Sequence, residues 1–167
     1  MKKQILAAFI QKFEDEIAST SLSAKAAHEA ATHEESKAED SHDTRGIEAS
    51  YLAGAQNARV AELKQVVLEY KSLLAGSEKP IEAVAVGALV KIQPLLSEDD
   101  PKPKGSALNA IVALRGGGTT VEIDGVIYSV LTPNSPVGEA VLGALPSEEF
   151  GVESKGGNRF YRVVSVE

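Results

Sequence analysis

Glu39-Asp40-Ser41-His42-Asp43-Thr44-Arg45-Gly46 contains no apolar residue, and it lies in the middle of residues 1–75, which hold no proline. On its N-terminal side Ile5, Leu6, Phe9, Ile10, Phe13 and Ile17 recur at steps of three and four. On its C-terminal side Tyr51, Leu52, Ala55, Leu63, Val66, Val67, Tyr70, Leu73 and Leu74 do the same. Both series have the period of an amphipathic helix. Toward the polar octapeptide the apolar stripe thins to Ala24, Ala27, Ala31 and Ala38. Folding the chain back at 38–45 sets bulky side chains against bulky ones and small against small. The spacing therefore predicts an antiparallel α-helical coiled-coil hairpin over residues 1–76, thick at its base and slender at its far end. Arms of roughly 30–35 residues reach about 45–50 Å at 1.5 Å per residue. Two helices of an ordinary bundle would need further helices, and the rest of the chain does not supply them.

Beyond residue 76 the composition changes. Residues 76–167 hold all seven prolines and twelve of the fourteen glycines. Gly76-Ser77-Glu78-Lys79-Pro80 combines a C-capping glycine with a proline just past it, which stops a helix. A linker is placed at 77–82. The stretches 83–92, 107–114, 119–123, 126–131 and 160–166 are rich in Val, Ile, Thr and Tyr and read as strands. Gly116-Gly117-Gly118, Asp124-Gly125 and Gly156-Gly157-Asn158 read as turns between them, and Asp-Gly is a favoured two-residue hairpin connection. Residues 97–105 read as a solvated loop. Ser135-Pro136-Val137-Gly138-Glu139-Ala140-Val141-Leu142-Gly143 opens with a capping residue and a proline and closes on glycine, the grammar of a short helix. Residues 83–167 are thus expected to form a small antiparallel sheet with one helix, which makes the chain α+β.

Composition narrows the function. The 167 residues carry no Cys, which excludes disulfides, thiolate metal ligands and a cysteine nucleophile and suits a reducing compartment. The apolar run after Met1-Lys2-Lys3-Gln4 is broken by Gln11, Lys12 and Glu14, so neither a signal peptide nor a membrane span is expected, and the cytoplasm is the expected location. A net charge of −7 is poorly suited to wrapping nucleic acid, because binding by counterion release needs clustered cations.

Charge is concentrated around the predicted turn. Residues 28–48 hold Glu29, Glu34, Glu35, Glu39, Asp40, Asp43 and Glu48 against only Lys37 and Arg45, together with all three histidines. Crowded carboxylates repel one another and suit hard cations such as Mg²⁺, which accept one or two protein oxygens and keep waters. Two readings stay open here: oxygen ligands offered to a metal held mainly by another molecule, or a solvated helix face and turn. His28 and His33 are five residues apart and do not share a helix face, which argues against a built-in zinc site with His42. No Gly-x-Ser-x-Gly elbow is present, and Gly116–Gly118 lacks the lysine of a phosphate loop.

This layout resembles the Gre-type bacterial transcription elongation factors, which join an N-terminal coiled-coil hairpin to a C-terminal FKBP-like domain. The resemblance spans nearly the whole chain. It is most specific from Tyr128-Ser129-Val130-Leu131-Thr132-Pro133-Asn134-Ser135-Pro136 through Gly143, a strand followed by Ser-Pro and a short helix ending in a Leu-Gly stretch. A turn and the strand 160–166 then follow as in that family, and Val86-Gly87-Ala88-Leu89-Val90 is similar to its first strand after the linker.

The resemblance implies an accessory factor rather than an enzyme. Such a protein binds bacterial RNA polymerase through the C-terminal domain, here through Pro133, Ser135, Pro136, Val137 and Leu142. It inserts its hairpin into the secondary channel. Tip carboxylates, here Glu39, Asp40 and Asp43, then help hold the polymerase's catalytic Mg²⁺ and a water while the polymerase cleaves its backtracked transcript. No intrinsic metal or cofactor is implied, nucleic acid is met only inside the polymerase complex, no membrane is involved, and the free protein is a monomer. The pattern also departs from the family. Setting its conserved tip aromatic on Tyr51 puts Thr44 and Ile47 where acidic residues belong, with Asp43 and Glu48 each one position off. Either Glu39, Asp40 or Asp43 serves from a rearranged turn, or the protein modulates the polymerase without cleavage. Two other classes are weighed beside this one. A peptidyl-prolyl isomerase needs an aromatic-lined pocket, and the second half offers only Tyr128, Phe150, Phe160 and Tyr161. A coiled-coil adaptor would dimerise through the hairpin.

Overall fold

The computed structural model describes residues 1–32, 45–78 and 80–167. The expected turn at 38–45 lies outside them. The chain runs α1 (Lys2–Thr32), α2 (Arg45–Ala75), β1 (Leu89–Leu95), β2 (Leu108–Val112), β3 (Thr120–Ile123), β4 (Val126–Leu131), α3 (Pro136–Val141), β5 (Glu149–Val152) and β6 (Arg159–Val166). Contacts divide it into two compact units, Ile10–Leu68 and Met1–Phe9 with Glu69–Glu167.

The first unit is the helical hairpin. Covered positions on α1 include Ile10, Phe13, Ile17, Thr20, Ala24, Ala27 and Ala31, and on α2 Gly46, Ala49, Ala53, Gln56, Val60, Leu63 and Val67, in alternating steps of three and four, with Val66 buried beside them. This is the strict heptad seam of a coiled coil. Arg59 reaches across to Glu16 at 2.7 Å, an antiparallel register that brings the alanine turns of α1 level with those of α2. Phe13 and Leu63 are wholly buried where the seam is bulky, and Ala24, Ala27 and Ala53 are buried where it is thin. At 31 residues each, the helices run about 46 Å.

The second unit is built on a six-stranded sheet in the order β3-β4-β2-β1-β6-β5. One correction concerns its sense. The sheet is mixed, because β2 and β4 pair in parallel from Asn109↔Tyr128 to Val112↔Leu131. Two reversals, one in the glycine-rich loop and one at Asp124-Gly125, restore the original direction. The more apolar β4 then takes the inner place and leaves β3, with exposed Glu122, on the edge. Both turn residues have positive φ (52° and 75°), as a type I′ hairpin requires. A second correction is that residues 83–88 are not strand. They close a turn, with the Ala88 N–H on the Ala85 carbonyl at 2.9 Å and Gly87 at φ 91°, where a side chain would also press on Leu73 at 3.3 Å. Strand β5 went unanticipated, because four residues, one of them Gly151, are too few to establish an alternation.

On one face of the sheet, Val84, Ala88, Val90, Ile92, Ala110, Val112, Leu131 and Val163 form a core with Val141 of α3. On the other face the helix termini meet the strands. The Tyr128 hydroxyl donates to Met1 Sδ at 3.4 Å and Tyr70 donates to the Arg115 carbonyl at 3.3 Å. Phe9 and Tyr70 pack at 5.7 Å between ring centroids.

Candidate functional site

The segment between β4 and β5 is held rigid from within. Ser135 caps α3 in an extended conformation: its Oγ accepts from Gly138 N–H at 3.1 Å and donates to the Thr132 carbonyl at 2.7 Å. Pro136 occupies the first helical turn, where a missing N–H is harmless. The backbone at Gly138 lies so near Thr132 that a Cβ would stand 1.9 Å from its carbonyl oxygen, which admits no residue but glycine. At the other end the Gly143 N–H bonds to the Val84 carbonyl at 2.8 Å, and Val84 N–H bonds to Ala144 at 2.9 Å. Val141 is the buried anchor, and Val137 packs partly onto the same core.

Of the residues expected to meet a partner, this segment groups Pro133, Ser135, Pro136 and Leu142 within one short loop-and-helix, with Pro136 and Leu142 exposed and Val137 turned largely inward. Pro136, Glu139 and Ala140 form one wall of a shallow groove of about 340 Å³, opposite Gly151, Val152 and Glu153. Ser135 Oγ is committed to two hydrogen bonds, with the Gly138 N–H and the Thr132 carbonyl, and neither partner is a general base.

Glu39, Asp40 and Asp43 lie outside the described residues, as do His33 and His42. What flanks them is described: α1 ends near His28 and Glu29, with Lys25 at 3.7 Å from Glu29, and α2 begins with Glu48 in its first turn, where a carboxylate complements the helix dipole. Among the described residues, no three His, Asp or Glu side chains converge as metal ligands, and no helix is long and apolar enough to cross a membrane. Of the aromatics weighed for an isomerase pocket, Phe160 and Tyr161 line a pocket of about 360 Å³ together with Pro94, Leu95 and Leu96. Phe150 and Tyr161 stack on each other at 5.4 Å, while Tyr128 turns to Met1.

Among solved structures, the chain is similar to the GreA factor homolog 1 (Gfh1) of Thermus thermophilus, at 17% identity over 95% of this chain and 94% of that one, with a TM-score of 0.35. Gfh1 of Thermus aquaticus matches at 16% identity over 96% and 94%, with a TM-score of 0.37. The prokaryotic transcription elongation factor GreA/GreB from Nitrosomonas europaea matches at 21% identity over 70% and 94%, with a TM-score of 0.33. No protein-family model matches the sequence, and no curated protein does.

A further set of contacts was not legible in the sequence. Glu69 accepts from the Leu114 N–H at 2.7 Å with one carboxylate oxygen. Its other oxygen is buried without a hydrogen bond, 3.5 Å from the Arg115 guanidinium. The neighbouring Tyr70 hydroxyl bonds to the Arg115 carbonyl, and burial pushes its pKa up. Burial likewise pulls Lys2 below the usual lysine range. Glu69 and Tyr70 tie the end of α2 to the loop after β2. The partners are 45 residues apart, and no local pattern joins them.

Proposed function

We propose that the chain is a Gre-type transcription elongation factor, an accessory protein acting on the active site of bacterial RNA polymerase. Its sheet domain docks through Pro133, Ser135, Pro136 and Leu142, with Val137 holding the segment in place. Its hairpin enters the secondary channel with Glu39, Asp40 and Asp43 at the leading end. The observation that carries this reading is the capped segment 132–143. The same residues that bear the sequence resemblance form a rigid, outward-facing loop and helix with no chemistry of its own. The heptad hairpin supports it, since an alanine seam lets two helices run close together toward the acidic stretch.

In this reading the Mg²⁺ belongs to the polymerase, and the chain contributes carboxylate oxygens that hold the ion and orient water. A second outcome has its own support. Ile47 stands at an expected acidic place, is 59% exposed and offers no oxygen, which fits a factor that occupies the channel without promoting cleavage.

The test is a backtracked elongation complex with purified bacterial polymerase. The protein is expected to bind in competition with other channel factors. Leu142→Asp, at a 40% exposed position, is expected to weaken that binding without unfolding the domain. If cleavage is stimulated, Asp40→Asn with Asp43→Asn abolishes it and leaves binding intact. Cleavage retained in that double variant defeats the carboxylate assignment, and absence of binding defeats the whole reading.

A further inference from the structure

The pocket at the end of β1 shares no residue with the segment 132–143 or with the hairpin. It holds about 360 Å³; Pro94, Leu95, Leu96 and Phe160 are in its apolar lining, and its charged lining residues are Lys104 and Arg159. Its walls are fixed by the backbone. Leu95 pairs with Phe160 of β6 on one side and with Pro103 on the other. The Lys104 N–H bonds to the Pro94 carbonyl at 2.8 Å, and the Leu96 N–H bonds to the Lys102 carbonyl at 3.0 Å. Gln93 Nε2 donates to the Gly105 carbonyl at 3.1 Å. Residues 101–105 are therefore stitched to β1, which runs between them and β6. Phe160 is confined as well, since a Cβ on Gly151 would lie 3.3 Å from its ring. A pocket already in place loses little conformational freedom when it is filled.

Charge says what would fill it. Both charged lining residues are cations, in a chain with 24 acidic groups against 17 basic ones. Lys102 and Arg162 are taken up by Asp100 and Glu149, whereas among the described residues no carboxylate pairs with Lys104 or Arg159. The neighbouring loops and strands are balanced: Glu98, Asp99, Asp100, Glu149 and Glu153 offset Lys102, Lys104, Lys155, Arg159 and Arg162. A preference for anions thus comes from the lining itself and not from a broad field. Lys104 and Arg159 belong to segments on opposite sides of β1, two strand spacings or roughly 10 Å apart. Both side chains are long enough to reach a group lying between them.

We propose that this pocket binds a small aromatic carboxylate, with its flat body against Leu95, Leu96 and Phe160 and its charge between Lys104 and Arg159. The volume is at the low end for ligand sites, which suits a body of one or two rings. Phe160 adds a ring contact beyond simple area burial. The fork of Arg159 matches a carboxylate with two parallel hydrogen bonds, and Lys104 supplies a point charge. The inference stands whether or not the chain acts on a polymerase.

The test is a titration of the full chain with naphthoate, followed by the ring-proton NMR shifts of Phe160 and Tyr161. A saturable shift with Kd of roughly 1 mM is expected for a ligand of about a dozen heavy atoms. Naphthamide, of the same shape and without charge, should bind about tenfold more weakly. Arg159→Gln should weaken naphthoate about tenfold and Lys104→Gln about threefold. Both positions are exposed, so the thermal melts should match the parent. Lys155→Gln, outside the lining, should leave the Kd unchanged. No saturable shift at Phe160, equal binding of naphthamide, or a Kd indifferent to Arg159→Gln overturns the proposal. An acetylated peptide ending in phenylalanine that binds about a hundredfold more tightly would make the occupant a protein chain end, and overturns the small-ligand assignment.

Discussion

The same chemical change, glycine to alanine, should have opposite effects at two places in this chain. At Gly138 the added methyl would lie 1.9 Å from the Thr132 carbonyl oxygen, 2.7 Å from its carbonyl carbon and 2.8 Å from Ser135 Oγ. The first two are backbone atoms, so no side-chain rotation relieves them. Ordinary overpacking costs about 1–3 kcal/mol. Displacing α3 from Thr132 also strains the Ser135 cap, worth about 1 kcal/mol, and loosens Val141 from the core. About 3 kcal/mol is expected, which for a chain of this size lowers Tm by about 6–12 °C. Gly54 lies in the interior of α2 with open space around the would-be methyl. There Gly54→Ala removes only glycine's backbone freedom and should stabilise the helix by about 0.5–1 kcal/mol. Urea and thermal melts, followed by circular dichroism at a few micromolar, compare both variants with the parent. A loss below about 0.5 kcal/mol at Gly138, well short of the overpacking range, would mean that the backbone there yields freely. The rigidity argued for the segment would then be wrong.

Three further outcomes follow from the same contacts. Ser135→Ala leaves the Gly138 N–H without its acceptor and should cost about 0.5–2 kcal/mol in the same melts, while Ser135→Thr, whose hydroxyl can both accept from Gly138 and donate to the Thr132 carbonyl, should recover most of it. Glu69→Ala strands the Leu114 N–H and should cost about 1–3 kcal/mol, whereas Glu69→Gln retains an oxygen for that bond and should cost less; equal losses would show that the ion pair with Arg115 dominates. Tyr70 has its pKa raised by burial from an ordinary value of 10.0, so the folded chain holds this proton longer than the unfolded one. Stability is therefore full below pH 10 and falls as pH climbs beyond it. Tyr70→Phe should lose about 1 kcal/mol near neutrality with the bond to Arg115 and show a shallower alkaline decline than the parent, read by denaturant melts across the alkaline range.

Elements whose partners are close in sequence were legible, and those assembled over distance were not. The α1 stripe, the Asp124-Gly125 turn and the Ser135-Pro136 start of α3 each depend on residues within a few positions, and each appears where the pattern put it; the stripe expected through Tyr51, Leu52 and Ala55 does not, because all three are exposed and α2 covers Ala49, Ala53 and Gln56 instead. The parallel pairing of β2 with β4 could not be read locally, because it depends on which strand of the β3–β4 hairpin is apolar enough to be covered on both sides. Strand β5 was hidden for a related reason: it is an edge strand whose only buried residue is Val152. Glu69 was invisible because a carboxylate beside a heptad seam ordinarily faces water, and only the loop 45 residues later gives it a partner. The docking segment was legible in its cap and its proline. The inward turn of Val137 was not, since helical period alone does not say which side of a six-residue helix meets the sheet.

The covered and exposed sides of α2 expose a tension in the sequence that bears on how the hairpin can work. The inner seam is thin where alanine replaces leucine, so the acidic half is held by less buried apolar area than the base, at roughly 25 cal/mol per Å². Larger residues at Ala24, Ala27 and Ala53 would stabilise that half but push the helices apart. The sequence keeps the alanines and places its large apolar side chains, Ile47 and Tyr51, on the outer side instead. There they are exposed by 59% and 77% and add little to the hairpin's own packing, and exposed aromatic and aliphatic groups favour association. A partner covering Ile47 and Tyr51 would supply to that half of the hairpin the packing that its own narrow seam withholds.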